Sequence, residues 1–267
     1  LYTGRQNTKD IRFTEDGRLV EAPVPKNDAA VQKNMNVINS FADNLGREIN
    51  LMIVPSAGWA SDLEYYPDTD IIDSIYDSSG NSVVPVDVNH IFDGNPQLYY
   101  RTDHHWTSEG AYRAYAYCME VLNRSYAEEA TFQKEQILGF HGSTYSRSAL
   151  WLSQPEPLEL WHSGSSLTVT NETGEDIHPG VFYRERLEEA DKYTVFLDGN
   201  HSIVRISNPE KDGKILVVRD SYSNCLGCFL AESYGEVILV DLRYYKQAVS
   251  QLVISEEIDD ILICYSI

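Results

Sequence analysis

Val31, Met35, Ile38, Phe41 and Leu45 fall at helical spacing, which predicts a helix that starts at Asn27 or Asp28 and stops at Gly46. The next apolar run is continuous, so residues 48–54 read as a buried strand, ended by Pro55 and the turn Ser56-Ala57-Gly58. A short helix over 71–76, a strand over 83–88 and an extended run over 98–101 follow. Residues 108–122 then place Ala111, Tyr115, Cys118 and Leu122 on one helical face. Further on the alternation is regular: strand 214–218, helix 223–234, strand 236–242, helix 245–253, strand 260–265. Strands alternating with helices bury a parallel sheet on both faces. The expected fold is therefore α/β, a three-layer α/β/α domain with a mainly parallel sheet. Right-handed crossovers put its reactive loops at the C-terminal ends of the strands.

Two segments break this rhythm. Residues 1–26 are polar and extended, closed by Pro23 and Pro25, and fit a hairpin or a tether. Between about 131 and 206, short β-like runs at 167–170, 181–183, 194–197 and 203–206 are separated by polar and glycine-containing loops. They predict a β-rich insertion over the main sheet of a single domain spanning 1–267. The longest apolar runs, such as Leu51 to Val54 and Ile215 to Val218, fall far short of the roughly 20 residues that cross a bilayer. The chain starts at Leu1, which raises the expectation of a preceding targeting segment.

Charge narrows the partners. With 41 Asp plus Glu against 21 Lys plus Arg, the net charge is −20, and no basic cluster exists to hold a nucleic acid or an anionic membrane. At 42% hydrophobic and 23% charged residues the composition is that of a foldable globular chain. Eighteen Tyr against eight Phe suits surfaces that touch polar ligands such as sugars, and equally suits half-buried strands. Of the four cysteines only Cys225 and Cys228 have a suggestive spacing. A thioredoxin-like redox pair is the sharp reading, and helix packing the plain one. Asn123-Arg124-Ser125 and Asn171-Glu172-Thr173 fit the glycosylation pattern, which is frequent by chance.

Two loops combine a strand exit, a helix entry and reactive groups: Asp103-x-His105, and Arg219-Asp220-Ser221-Tyr222-Ser223. A serine at such a junction has its own backbone N–H and the positive helix end available to an oxyanion. His105 is placed to take its proton, and Asp103 to hold the imidazole by its other nitrogen. Helix capping by Asp103 and an Asp-Ser turn account for the same residues without chemistry. A third reading makes Asp103, His104, His105 and Asp220 ligands of a divalent ion.

The string Tyr100-Arg101-Thr102-Asp103-His104-His105-Trp106-Thr107-Ser108-Glu109-Gly110-Ala111-Tyr112 resembles the signature of the DHHW family, and Arg219 to Asn224 resembles its later Asp-Ser-Tyr block. Phe140 to Ser146, Leu197 to Asn200 and Val240 to Tyr245 match in the same order. The family is similar to the alginate O-acetylation proteins of the SGNH-hydrolase-like superfamily, with the motif order permuted. That resemblance implies a catalytic Asp103, a base His105 and a nucleophile Ser221, working through an acyl-enzyme without metal or cofactor. Substrate-binding candidates are Arg243, for a carboxylated sugar or an acyl donor or else an ion pair with Asp241 or Asp220, Trp106 as a stacking platform or loop packing, Tyr222 as a pocket wall, and Asn200 as an oxyanion donor or turn cap.

The function expected is a serine-dependent carbohydrate O-acyl, chiefly O-acetyl, esterase or O-acetyltransferase. It would act outside the cytoplasm, on a cell-surface polysaccharide or acylated sugar, with a membrane-bound acyl donor as a candidate partner. The alternative is a non-catalytic carbohydrate-binding or assembly protein with a degenerate site. A charge of −20 repels polyanions, so a neutral or cationic glycan is expected.

Overall fold

The computed structural model describes residues 7–8, 10–148, 153–172, 174 and 176–267. Residues 1–6 and 9 of the expected N-terminal segment, and Thr173 of the second glycosylation pattern, lie outside them. The chain begins with three short antiparallel strands, β1 (Asn7–Thr8), β2 (Ile11–Phe13) and β3 (Leu19–Glu21). Helix α1 (Asp28–Leu45) starts where the Asn27 side chain accepts from the Ala30 N–H. It ends where Gly46, at φ 61°, donates to the Ala42 and Asp43 carbonyls. Next come β4 (Ile49–Val54), α2 (Ala57–Ala60), α3 (Asp68–Asp77), β5 (Val83–Pro85), α4 (Asn89–Phe92) and α5 (Ser108–Val121). The middle holds β6 (Gln133–Phe140), α6 (Ser143–Ser148), β7 (Glu156–His162), β8 (Thr168–Asn171), β9 (Ile177–Pro179) and β10 (Ile203–Ser207). The last part is β11 (Lys214–Arg219), α7 (Ser223–Leu230), β12 (Glu236–Val240), α8 (Val249–Ser255) and β13 (Asp260–Ser266).

The central sheet has eight strands in the order β5-β4-β13-β11-β12-β10-β8-β9. From β5 to β12 neighbours are parallel, and β10, β8 and β9 add antiparallel pairings at one side. Val218 is in register with Val240 on one side and Ile263 on the other, so the loops after β11, β12 and β13 leave along one edge. The continuous apolar runs reflect burial on both faces. Leu51, Ile53, Leu216 and Val218 join the core under α1, α3 and α8, while Met52, Val54, Ile215 and Val217 join the core under α5 and α7. A mixed α/β fold with a largely parallel sheet is the result.

The middle segment departs from expectation. β10, β8 and β9 extend the central sheet instead of lying over it, and β6 pairs with β7 in a separate antiparallel ribbon. Residues 181–183 and 194–197 are not strands: Phe182 and Phe196 make a single bridge, and Lys192–Val195 is a 3-10 turn. Strand β6 is mostly exposed, so it lacks the apolar alternation that would have marked it. The tyrosine excess is largely structural. Tyr99, Tyr100, Tyr115 and Tyr234 are fully buried, and three of their hydroxyls find partners in the Pro55 carbonyl, Ser233 and Asp260.

All four cysteines are free and buried. Cys228 Sγ lies 3.3 Å from the Asn224 carbonyl and Cys225 Sγ 3.9 Å from Ser108 Oγ, and burial pushes the Cys225 thiol up to about 12. These are packing groups of α7 with little thiolate character, which is the plain reading of the Cys-x-x-Cys spacing.

Candidate active site

The loop between residues 98 and 107 is folded back on itself. Tyr99 bridges Trp106, the Thr107 N–H donates to the Leu98 carbonyl, and the Thr107 hydroxyl caps α5 by accepting from Gly110. From β7, the buried Glu156 accepts from the Arg101 N–H at 2.8 Å and from the Thr102 N–H and hydroxyl, both at 2.7 Å. Thr102 Oγ1 in turn accepts from the Gly142 N–H at 3.2 Å. This places the Ser143 N–H on Asp103 Oδ2 at 2.6 Å. Asp103 is fully buried. A Cβ on Gly142 would lie 2.2 Å from that of Asp103, so the close approach demands glycine.

The other Asp103 oxygen serves His105. Oδ1 accepts from the His105 backbone N–H at 2.9 Å and faces the ring Nδ1 at 2.5 Å. Burial alone would raise the Asp103 carboxyl, but the His105 ring, its hydrogen bonds and His104 hold it well below the ordinary carboxylate range. An ionised carboxylate only accepts, so Nδ1 carries the proton. Nε2 is then the acceptor, and it lies 2.8 Å from Ser221 Oγ. The imidazole stacks on Tyr193, with ring centroids 3.8 Å apart at an interplanar angle of 7°, and the His104 ring lies 3.9 Å away, tilted by 35°.

Ser221 sits in the tight junction between β11 and α7 and is half-buried. Asp220 shapes that turn: Oδ1 accepts from Tyr222 N–H at 3.0 Å, and Oδ2 from Ser266 N–H and hydroxyl, both at 2.7 Å, which ties the loop to β13. Asp220 is therefore spent on structure and not on a metal. The ligand atoms of Asp103, His104 and His105 lie within 4.8 Å of one another. Those of Asp103 and His105 are already committed to each other, to Ser143 and to Ser221, so the donor set fits a hydrogen-bonded relay better than a cation cradle.

The family model described as DHHW protein matches residues 74–240, more than half of the chain. The chain belongs to the DHHW family. No curated protein matches the sequence significantly. Among solved structures, a DHHW family protein from Eubacterium siraeum is 24% identical with a TM-score of 0.84, covering 96% of this chain and 89% of that one. Bacillus cereus PatB1, solved with a sulfonyl adduct, is 21% identical with a TM-score of 0.80, covering 98% and 95%. The O-acetyltransferase domain of Pseudomonas putida AlgJ is 14% identical with a TM-score of 0.52, covering 96% and 90%. At these identities the likeness is one of fold.

The remaining predicted residues of this DHHW protein divide. Trp106 is fully buried and its indole N–H donates to the Tyr222 carbonyl at 3.1 Å, so it presents no face to a sugar. Tyr222 is 4% exposed and its hydroxyl donates to the His104 carbonyl. Both aromatics sew the two loops together; burial sets aside Trp106 as a stacking platform, while Tyr222 lines a pocket with Ser56, His104 and Ser266. Arg243 forms a bidentate pair with the buried Asp241, at 2.9 and 2.6 Å, while its side chain stays half-exposed beside Tyr244. Asn200 is exposed, with its carbonyl oxygen held by Arg219 and Asn224. Sequence reasoning missed Glu156, a carboxylate unmarked by any motif, and Tyr193, a core aromatic of a loop. Among the described residues no helix is long and apolar enough to cross a membrane.

His104 borders the site. Its Nδ1 lies 2.9 Å from Ser143 Oγ, and burial, then the neighbouring His105, pull its pKa from 6.5 to about 4. The neutral ring is therefore the folded-state form. Its contribution is complete above pH 6.5 and is lost as the pH falls toward 4. Thermal melts in that window should show a smaller drop for His104→Asn than for the wild type. An equal drop in both would remove His104 as the cause.

Proposed function

We propose that this protein is a carbohydrate O-acyltransferase or esterase, chiefly O-acetyl, in which Ser221 is the nucleophile. The observation that carries the reading is the 2.8 Å approach of His105 Nε2 to Ser221 Oγ, with Nδ1 held on Asp103. A degenerate binding site would have no need to keep these contacts in register. Ser221 Oγ attacks the acyl carbonyl and its proton passes to His105. The carbonyl becomes an oxyanion, with the Ser221 backbone N–H and the Asn200 carboxamide as donors. When the C–O bond to the donor breaks, His105 returns the proton to the leaving oxygen. An acceptor hydroxyl, assisted by His105, then takes the acyl group from Ser221. Water as acceptor gives an esterase and a sugar hydroxyl a transferase.

The similar folds support this chemistry. AlgJ contributes an O-acetyltransferase domain, and the sulfonyl adduct on PatB1 is the kind of product that an activated nucleophile forms. On this reading the single domain works outside the cytoplasm on a neutral or cationic cell-surface glycan, supplied by a membrane-bound donor. Arg243 and Tyr244, exposed after β12 on the Ser221 edge, contact the donor or the sugar. Asp103-x-His105 preceding Ser221 is the permuted SGNH order.

The test is labelling with a fluorophosphonate probe. One equivalent is expected on Ser221 in the wild type and none in Ser221→Ala. Labelling that persists in that variant, or a wild type that never reacts, refutes the proposal.

A further inference from the structure

Resting on the catalytic reading of Ser221, we propose that Arg219 is a positioning residue. With the left-handed turn over 197–199, it fixes the Asn200 carboxamide so that its N–H2 donates to the oxyanion formed on acylation of Ser221.

Arg219 is the last residue of β11 and is fully buried. Its Nη1 donates to Asn200 Oδ1 at 2.8 Å and, at 3.4 Å, to the Asp220 carbonyl, while Nε and Nη2 have no hydrogen-bond partner among the described residues. The nearby carboxylate of Asp241 is taken by Arg243. Burial lowers the Arg219 pKa to about 10, which leaves it charged at neutral pH. A guanidinium buried without its own carboxylate is costly, and an apolar side chain would pack a strand end more cheaply. What this cation does have is a grip on Asn200. Asn224 Nδ2 donates to the same oxygen at 3.2 Å, so two donors fix which way the amide is flipped. The Asn200 nitrogen has no partner among the described residues, Asn200 is exposed, and the two residues that hold its oxygen, Arg219 and Asn224, flank Ser221 in sequence.

The backbone supplies an independent observation. Leu197, Asp198 and Gly199 have φ of 58°, 63° and 79°, three successive residues in the left-handed region, two of them not glycine. Such a run persists only when its surroundings impose it. Leu197 is fully buried against α7, where a Cβ on Gly227 would come within 3.2 Å of its Cδ1. Asp198 accepts from Arg186 Nε and lies 3.0 Å from His201 Nε2. The turn is thus clamped to α7, the helix that Ser221 precedes, and the strain ends at Asn200.

The test is a double-mutant cycle read by the second-order rate constant for fluorophosphonate labelling of Ser221. In that step the Oγ–P bond forms, fluoride leaves and His105 takes the proton. Asn200→Ala should slow labelling about 100-fold and Arg219→Met at least about tenfold. The double variant should be no more than about twofold slower than Asn200→Ala, because both changes remove one interaction. Arg219→Lys, which keeps a donor for Asn200, should stay within about threefold of wild type. Asn200→Asp keeps the oxygen that Arg219 holds but offers no donor; it should melt like the wild type and label as slowly as Asn200→Ala. Losses that multiply in the double variant, or wild-type labelling by Asn200→Asp, overturn the inference while leaving Ser221 as nucleophile. A wild type that is not labelled overturns both readings.

Discussion

Asp103→Asn is expected to slow labelling of Ser221, and any turnover of p-nitrophenyl acetate, by on the order of 10⁴-fold with little change in overall structure. The reason lies in how the two carboxylate oxygens are used. Oδ1 accepts from His105 and Oδ2 from the Ser143 N–H. An amide has a single acceptor, so it satisfies one of them. If its oxygen turns to Ser143, its N–H2 faces His105 Nδ1 and drives the imidazole proton to Nε2. The ring then donates toward Ser221 where it must accept. If its oxygen turns to His105, the half-buried Ser143 N–H is opposed by a donor. Either way the base is lost or displaced. A loss below about tenfold would show that Asp103 does not set the tautomer, and the hydrogen-bonded chain would then be a structural feature only.

Gly142→Ala should be comparably damaging for a different reason. The added methyl would lie 2.2 Å from Asp103 Cβ and 2.3 Å from its Oδ2. Asp103 is fully buried and held by His105 and Ser143, so it has no rotamer to retreat into without breaking the relay. Overpacking of this kind costs about 1–3 kcal/mol or more, equivalent to roughly 2–6 °C in the melting midpoint of a chain of this size. Labelling of Ser221 should fall with it. The backbone at Gly142 is not left-handed, so space and not conformation sets the requirement. A variant that melts and labels as the wild type would mean that the 140–143 loop yields easily and does not brace Asp103.

The parallel part of the sheet was legible because burial on both faces leaves long uninterrupted apolar runs such as Ile215 to Val218, which few other contexts produce. Asp103, His105 and Ser221 stood out as candidates because they occupy loop-to-helix junctions within motifs that resemble the DHHW blocks, and only the fold brings the two loops together. Trp106 stood open between stacking and loop packing, and Tyr222 was read as a pocket wall with no sign of its link to the other loop, for a physical reason. An aromatic with one polar atom looks the same in sequence whether its hydrogen bond goes to a sugar or to the protein. Here Trp106 reaches the Tyr222 carbonyl and Tyr222 the His104 carbonyl, contacts between residues 116 and 118 positions apart. Glu156 was invisible for the opposite reason: it is one carboxylate among 41 acidic residues, and only the fold reveals that it accepts three hydrogen bonds from the 101–102 backbone and Thr102. The 131–206 segment misled because its polar ribbon β6–β7 has no strong pattern, whereas β8 and β10 join a sheet whose other strands lie far along the sequence.

The placement of β13 has a bearing on the order in which the candidate site is assembled. The last strand of the fold lies between β4 and β11 in the middle of the sheet, with Leu262 paired to Asn50 and to Val217. Ser266, at its end, is also the residue that ties down Asp220 beside Ser221. These pairings are among the most distant in sequence and close slowly. During translation, therefore, neither the sheet nor the Ser221 turn can reach its final form until β13 has emerged from the ribosome. The contact of His105 with Ser221 is therefore expected to form only once β13 has joined the sheet.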